Sequence, residues 1–326
     1  MKYLYPKVTR CSGLSLVELM IALTLGLIII GSVISLFVAS KVSYTQSEAF
    51  ARIQENARFS MLTLESDLKL VKFFGEVSAV NISNDTHLGT VSSNCTGDAA
   101  AYDYNTPLAA TTSSATTESS AGGVAYGCIT DAVPNTGVLV IKHVRPQPLA
   151  TGSVANNKSY ILANHDTGRL YDGADTAPVG EVPNGRAWEY QAHVYYIRSG
   201  TVPTLSRKTL QILNGNMTIV TEDVVSGVEA MRLQFGLDSD TDGDLDTFMA
   251  ASTINTSTTV DWNDVGAVRI NLLIRSESSD PSFVDDKTYN LGDNSPVENP
   301  NDNFHRTVVS TTLALRNPQF VIRGAG

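Results

Sequence analysis

Cysteine is scarce in this 326-residue chain, with three residues in all. No two of them stand at the Cys-x-x-Cys spacing of a zinc knuckle or a dithiol redox site. Histidine is sparse as well. His87, His143, His165, His193 and His305 are scattered, without HxxxH or HExxH spacing, so each reads as structural or solvent-facing rather than as a ligand. There is no nucleophile elbow, no phosphate-cradling glycine loop and no evident catalytic carboxylate pair, so no enzymatic activity is expected. Basic residues are outnumbered 23 to 33, for a formal charge of −10. No Lys/Arg-rich tract stands apart from that balance, which argues against a phosphate-backbone binding surface, and no specific nucleic-acid partner is predicted. Proline and glycine are both missing from Lys41 to Phe73, so nothing in that stretch interrupts a helix.

Long hydrophobic runs are absent too, with one exception. Leu14 to Ala39 is nearly all apolar and exceeds the ~20 residues that cross a bilayer as a helix. Its only charge is Glu18, the fifth residue after Gly13. An unpaired carboxylate at membrane depth costs at least ~2.5 kcal/mol, so such a residue marks a functional site by default. The residues before the run are short and carry Lys2, Lys7 and Arg10 with no acid. An ordinary secretory signal is cut after its apolar core. A cut at Gly13 would fall before the core and leave the anchor in place. The plainer alternative is a signal-anchor helix with an incidental acid.

Gly13-Leu14-Ser15-Leu16-Val17-Glu18-Leu19-Met20 resembles the leader junction of type IV prepilins and pseudopilins. The resemblance implies cleavage by a membrane prepilin peptidase between Gly13 and Leu14, with N-methylation of Leu14. The family usually has Phe where this chain has Leu14. The resemblance also implies an assembly role for Glu18, whose carboxylate would neutralise the N-terminal ammonium of a neighbouring subunit. Cys11 would leave with the leader. Cys95 and Cys128 would remain in a head facing an oxidising compartment, where a disulfide between them is expected; two buried free thiols are the alternative.

The helical pattern continues past the membrane-length run. Phe50, Ile53, Ala57, Met61, Leu64, Leu68 and Val71 recur at three and four, with Glu48, Arg52, Glu55, Arg58, Glu65, Asp67 and Lys69 between them. One helix over residues 14–74 is predicted, transmembrane over 14–39, with Gly75 as its stop. The stripe could also serve a homodimeric coiled coil, but a large β-rich region follows in the same chain. Beyond Gly75 the pattern becomes short β-like runs: 137–144, 188–198, 209–213, 228–237, 267–275 and 307–316. Consecutive strands without helices between them predict an antiparallel sheet. The expected fold class is α+β and pilin-like: a long N-terminal helix packed on an antiparallel sheet with large polar loops. Domain organisation follows as a leader at 1–13, the helix at 14–74 and a β-rich periplasmic or extracellular head at 75–326.

One segment looks metal-binding. Asp238-Ser239-Asp240-Thr241-Asp242-Gly243-Asp244-Leu245-Asp246 places oxygens at positions 1, 3, 5 and 9 and glycine at 6, the spacing of a calcium loop. Asp244 would add its backbone carbonyl. Met249 stands where the bidentate Glu belongs, so calcium as a cofactor competes with a bare acidic turn.

Three stretches narrow the resemblance. Ala51-Arg52-Ile53-Gln54-Glu55-Asn56-Ala57-Arg58-Phe59, Gly227 to Gly236, and Val268 to Ser276 together with Thr311 to Asn317 are similar to the PilW-type minor pilins. The resemblance implies a minor pilin of a Gram-negative type IV pilus. It would wait in the inner membrane with a periplasmic head, join the complex that primes pilus assembly and end at the fibre tip. Implied partners are other minor pilins, the major pilin and a tip adhesin. A type II secretion pseudopilin is the nearest alternative, and a membrane-anchored periplasmic enzyme is the alternative of another class.

Overall fold

A computed structural model describes residues 13, 15–92, 101–113, 129–213, 216–238, 244–292 and 300–315. The chain divides into two compact units, one up to Ala49 and one from Phe50 onward. Helix α1, Leu16–Leu68, contributes to both.

In the first unit α1 is apolar on every side. Each large hydrophobic residue from Leu16 to Val38 is more than half exposed. It is the one described helix long and apolar enough to cross a membrane. Among the described residues this stretch is left uncovered, the state expected of a helix whose solvent is lipid.

In the second unit α1 buries Ile53, Ala57, Leu64 and Leu68, as the stripe predicts, and Ser60 and Asp67 with them. The helix ends at Leu68, short of the expected residue 74. Neither proline nor glycine stops it. The chain turns through Lys72 at φ 64° and Gly75 at φ 82°. Lys72 Nζ donates to the Asn263 carbonyl at 2.9 Å, and the Phe73 carbonyl accepts from Val144 N–H at 2.8 Å. Tertiary partners therefore terminate the helix. Gly75 is required because a Cβ there would lie 2.6 Å from the Trp188 ring, besides the strain of its positive φ.

The strands are β1 (Ile82–Asn84), β2 (Val91–Ser92), β3 (Leu108–Thr112), β4 (Gly137–Val144), β5 (Ser159–Ala163), β6 (Gly168–Asp172) and β7 (Arg186–Arg198). They continue with β8 (Thr204–Leu213), β9 (Asn216–Ser226), β10 (Val228–Leu237), β11 (Thr247–Ala250), β12 (Val265–Arg275) and β13 (Arg306–Ala314); a short helix α2 (Ala251–Thr256) follows β11. The fold is α+β and antiparallel-rich, as expected. The strands form two sheets. Nine strands run β1-β6-β5-β7-β8-β9-β2, with β4 pairing β7 and β3 pairing β4; four run β11-β10-β12-β13. Two short pairings, β1 with β6 and β2 with β9, are parallel.

The main core gathers the α1 stripe, β4, β7 and β8 of the large sheet, β10 and β12 of the small one, and Ala251, Ile254 and Trp262. Strand register decides which residues meet α1. Leu139 faces Tyr195, Ile141 faces His193, and His143 faces Gln191 across β4 and β7. Because side chains alternate along a strand, these residues share one face. The turn from β9 to β10 pins the other end of the helix's buried stripe. Asn56 Nδ2 donates to the Ser226 carbonyl at 3.1 Å, and Gly227 adopts φ 80°. A Cβ on Gly227 would lie 2.7 Å from the Arg275 carbonyl oxygen.

Candidate functional site

The N-terminal end of α1 is closed by a capping box. Ser15 Oγ accepts from Val17 N–H at 3.2 Å, and Glu18 Oε2 accepts from Ser15 N–H at 3.0 Å. A Ser-x-x-Glu pair satisfies two of the amides that a helix start leaves open. The carboxylate thus folds back toward the start of the chain rather than out into the apolar run. Gly13 is exposed, and Leu14 lies outside the described residues. Any new N-terminus at Leu14 would stand one residue from the amide that Glu18 holds.

Beside α1 lies a groove of about 560 Å³ lined by Glu55, Asn56, Arg58, Phe59, Leu62 and Val224 to Ser226. Phe59 and Leu62 are about half exposed along it. Apolar side chains left on a rigid helix beside a concave surface suit contact with another protein.

The aspartate segment is the β10–β11 hairpin loop. Asp246 N–H donates to the Leu237 carbonyl at 2.9 Å and closes it. Asp238 is buried, whereas Asp244 and Asp246 are exposed. Met249 lies in β11 opposite Phe235. Asp240 and Asp242 lie outside the described residues, as do Cys95, Cys128 and the segment 1–12.

Structure brings together one group that the sequence reading kept apart. Asp67 in the last turn of α1, His143 at the end of β4 and His193 in β7 converge, all buried. His193 Nδ1 and the Tyr195 hydroxyl each donate to Asp67 Oδ2 at 2.5 Å. His143 Nε2 stands 3.6 Å from Asp67 Oδ1. Arg207 reaches the Tyr195 hydroxyl at 3.4 Å. A carboxylate in the last turn of a helix faces the negative end of its dipole, so it needs partners. Burial alone would raise the Asp67 carboxyl, but the pull of His143, His193 and Tyr195 outweighs it and holds the group far below the usual carboxylate range. Burial pushes the His193 imidazole down despite Asp67, and pushes the Tyr195 phenol up. Asp67 is thus ionised, and a neutral imidazole and a phenol hydrogen-bond to it. A hint was present in the sequence: Lys142 and His143 stand together inside an otherwise apolar strand run, and Asp67 adjoins the stripe residue Leu68.

A second buried charge cluster fastens the long 276–305 connection. The Arg306 guanidinium, 1% exposed, donates to Glu229 through Nε at 2.5 Å, to Asp285 at 2.9 Å and to Asp302 at 2.6 Å. Asp285 is fully buried and also accepts from the Tyr289 hydroxyl. His305 Nε2 lies 3.1 Å from Asp280.

Residues 194–317 match the family model described as Type IV Pilus-assembly protein W. The match runs from β7 through β13 and contains two of the three stretches that carried the resemblance, Gly227 to Gly236 and the β12–β13 pair. It supports a PilW-type minor pilin and, more broadly, a type IV pilus-associated protein. Gly13, Glu18, Asp67, His143 and His193 all lie outside the matched residues. No curated protein and no solved structure matches the chain.

Proposed function

We propose that this chain is a minor pilin that primes type IV pilus assembly from the inner membrane. In this reading it is an assembly component rather than an enzyme. The observation that carries the proposal is the bare first half of α1, apolar on every face and headed by one carboxylate. The match to the pilus-assembly W family favours the pilus over a secretion piston.

The mechanism is packing plus one charge pairing. After cleavage between Gly13 and Leu14, the retained helix lies in lipid with the head of residues 75–326 in the periplasm. In an assembling bundle Glu18 neutralises the methylated ammonium of a neighbour's first residue. Either charge alone is costly in low dielectric, so the pair selects the register in which both are matched. Phe59, Leu62 and the groove beside them give the head a surface for the next minor pilin. The complex then stays at the fibre tip, where it carries an adhesin.

Two substitutions separate charge from capping. Glu18→Gln keeps an N3 side chain able to accept from Ser15 N–H, and Glu18→Ala does not. Both ease lipid burial, so neither blocks insertion. In a strain lacking the native gene, both variants should reach the membrane, fail to restore surface pili and fail to co-isolate the other minor pilins. Normal piliation with Glu18→Gln would overturn the charge pairing. Normal piliation in the strain lacking the gene altogether would overturn the priming role.

A further inference from the structure

We propose that Asp67, His143 and His193 form a binding site for a divalent transition ion of the zinc class, locking the end of α1 to the large sheet. One donor atom from each residue lies within 4.8 Å of the others. Ligand atoms on a tetrahedral zinc sit about 3.3 Å apart, given bonds of ~2.0–2.1 Å. Closing the gap needs side-chain shifts of about an ångström.

The surroundings of His143 leave one ring nitrogen for a metal ion. Its Nδ1 lies 3.1 Å from the Val144 carbonyl oxygen. A carbonyl only accepts, so Nδ1 carries a proton, and Nε2 is the ring nitrogen turned toward Asp67. That Nε2 is buried with no hydrogen-bond partner. It faces Asp67 Oδ1 at 3.6 Å. A metal ion between Nε2 and Oδ1 would give both atoms a partner. A ring N–H held by a backbone carbonyl is also the usual support of a metal-bound histidine.

Asp67 and its neighbours supply the rest. Oδ2 accepts from His193 and from Tyr195, which leaves Oδ1 toward His143. For an ion to bind His193 Nδ1, the proton there moves to Nε2 of the same ring, so the ligating imidazole stays neutral and no proton is lost to solvent. Two imidazoles and one carboxylate suit zinc, cobalt or nickel and not the all-oxygen shell that calcium prefers. A polar cavity of about 220 Å³ reaches His193, with Glu189, Gln191, Arg207 and Glu222 in its walls. It provides an entry path and room for water in the fourth position. The site joins the helix to two strands of the sheet it packs on, so a bound ion would cross-link them.

The test uses the full chain in detergent micelles, stripped with chelator and titrated with zinc or cobalt. Expected results are one ion per chain at micromolar concentration, a visible cobalt spectrum of four-coordinate type and a rise in melting temperature. X-ray absorption of the zinc-loaded protein should show two imidazole ligands. His143→Gln should lose at least 100-fold in affinity, while calcium should not compete. Acid should weaken binding, because protons compete with the ion for the imidazole nitrogens. No uptake at micromolar zinc would overturn the proposal and leave a hydrogen-bonded polar clamp. Uptake retained in His143→Gln, or absorption data with fewer than two imidazoles, would overturn it as adventitious binding elsewhere. The absorption measurement needs no variant, so it decides the matter even if His143→Gln does not fold.

Discussion

Arg306 shows how much one side chain holds. Its guanidinium answers Glu229, Asp285 and Asp302 at once, and Asp285 has no contact with solvent. Removing a partner from a buried pair typically costs 3–5 kcal/mol, because the remaining charge is left uncompensated. Arg306→Ala should therefore lower stability by about 3 kcal/mol or more, read as a drop in urea midpoint with proteolysis opening in 276–305. A loss below 1 kcal/mol would mean the cluster is solvated. Acid acts in the same direction. The hydrogen bond from Arg306 holds Asp302 below its ordinary value, so its contribution is present above the unfolded carboxylate pKa and fades as pH falls through the folded one. Gly227 is the backbone counterpart. Its φ of 80° and the Arg275 oxygen 2.7 Å from a would-be Cβ leave no room for a side chain. Gly227→Ala should cost roughly 2 kcal/mol, within the range for a strained residue. An unchanged thermal midpoint would contradict that. Neither residue's partners could be read from sequence, nor could those of Asp67. The Asp67–His193 bond spans 126 positions, and only strand register brings the two together.

Elements were legible where local pattern and tertiary context agree. β4 and β10 begin and end at the residues expected, because each is an apolar run bounded by glycine or turn residues. β9 went unread because its exposed positions are Asn216, Thr221 and Asp223 and its packing is supplied by β8. The α1 stripe was legible and the helix end was not, since Asn263 and Val144, far along the chain, set it. The β10–β11 loop is the element whose chemistry is most readily tested. If Asp238, Asp240, Asp242, Asp244 and Asp246 hold calcium, saturating the site at ~100 times its dissociation constant should add about 2.7 kcal/mol to stability. With Met249 in a strand the site lacks its bidentate ligand, so affinity near ~0.1–1 mM is expected. A melting temperature unmoved by millimolar calcium, or moved equally in Asp240→Ala, would leave a bare acidic turn.

At the scale of the whole molecule, two different solvents are written into one chain. The unit up to Ala49 is a helix with its apolar residues outside, and the unit from Phe50 is a head with its apolar residues inside. Hydrophobic patterning distinguished the apolar run to Ala39 from the one-sided stripe after it, and drew no boundary after Ala49. The pilus family match falls entirely in the head, whereas the features that would make the chain an assembling pilin stand at Gly13 to Glu18. The account joins the two, and its central claim is that the chain is processed as a prepilin and keeps α1 as its anchor. Mass spectrometry of the N-terminal peptide, from protein extracted from membranes with active prepilin peptidase, tests this most directly. The account predicts a chain beginning at N-methylated Leu14. A chain beginning at Met1, or cut after the apolar run near Ala39, would contradict it.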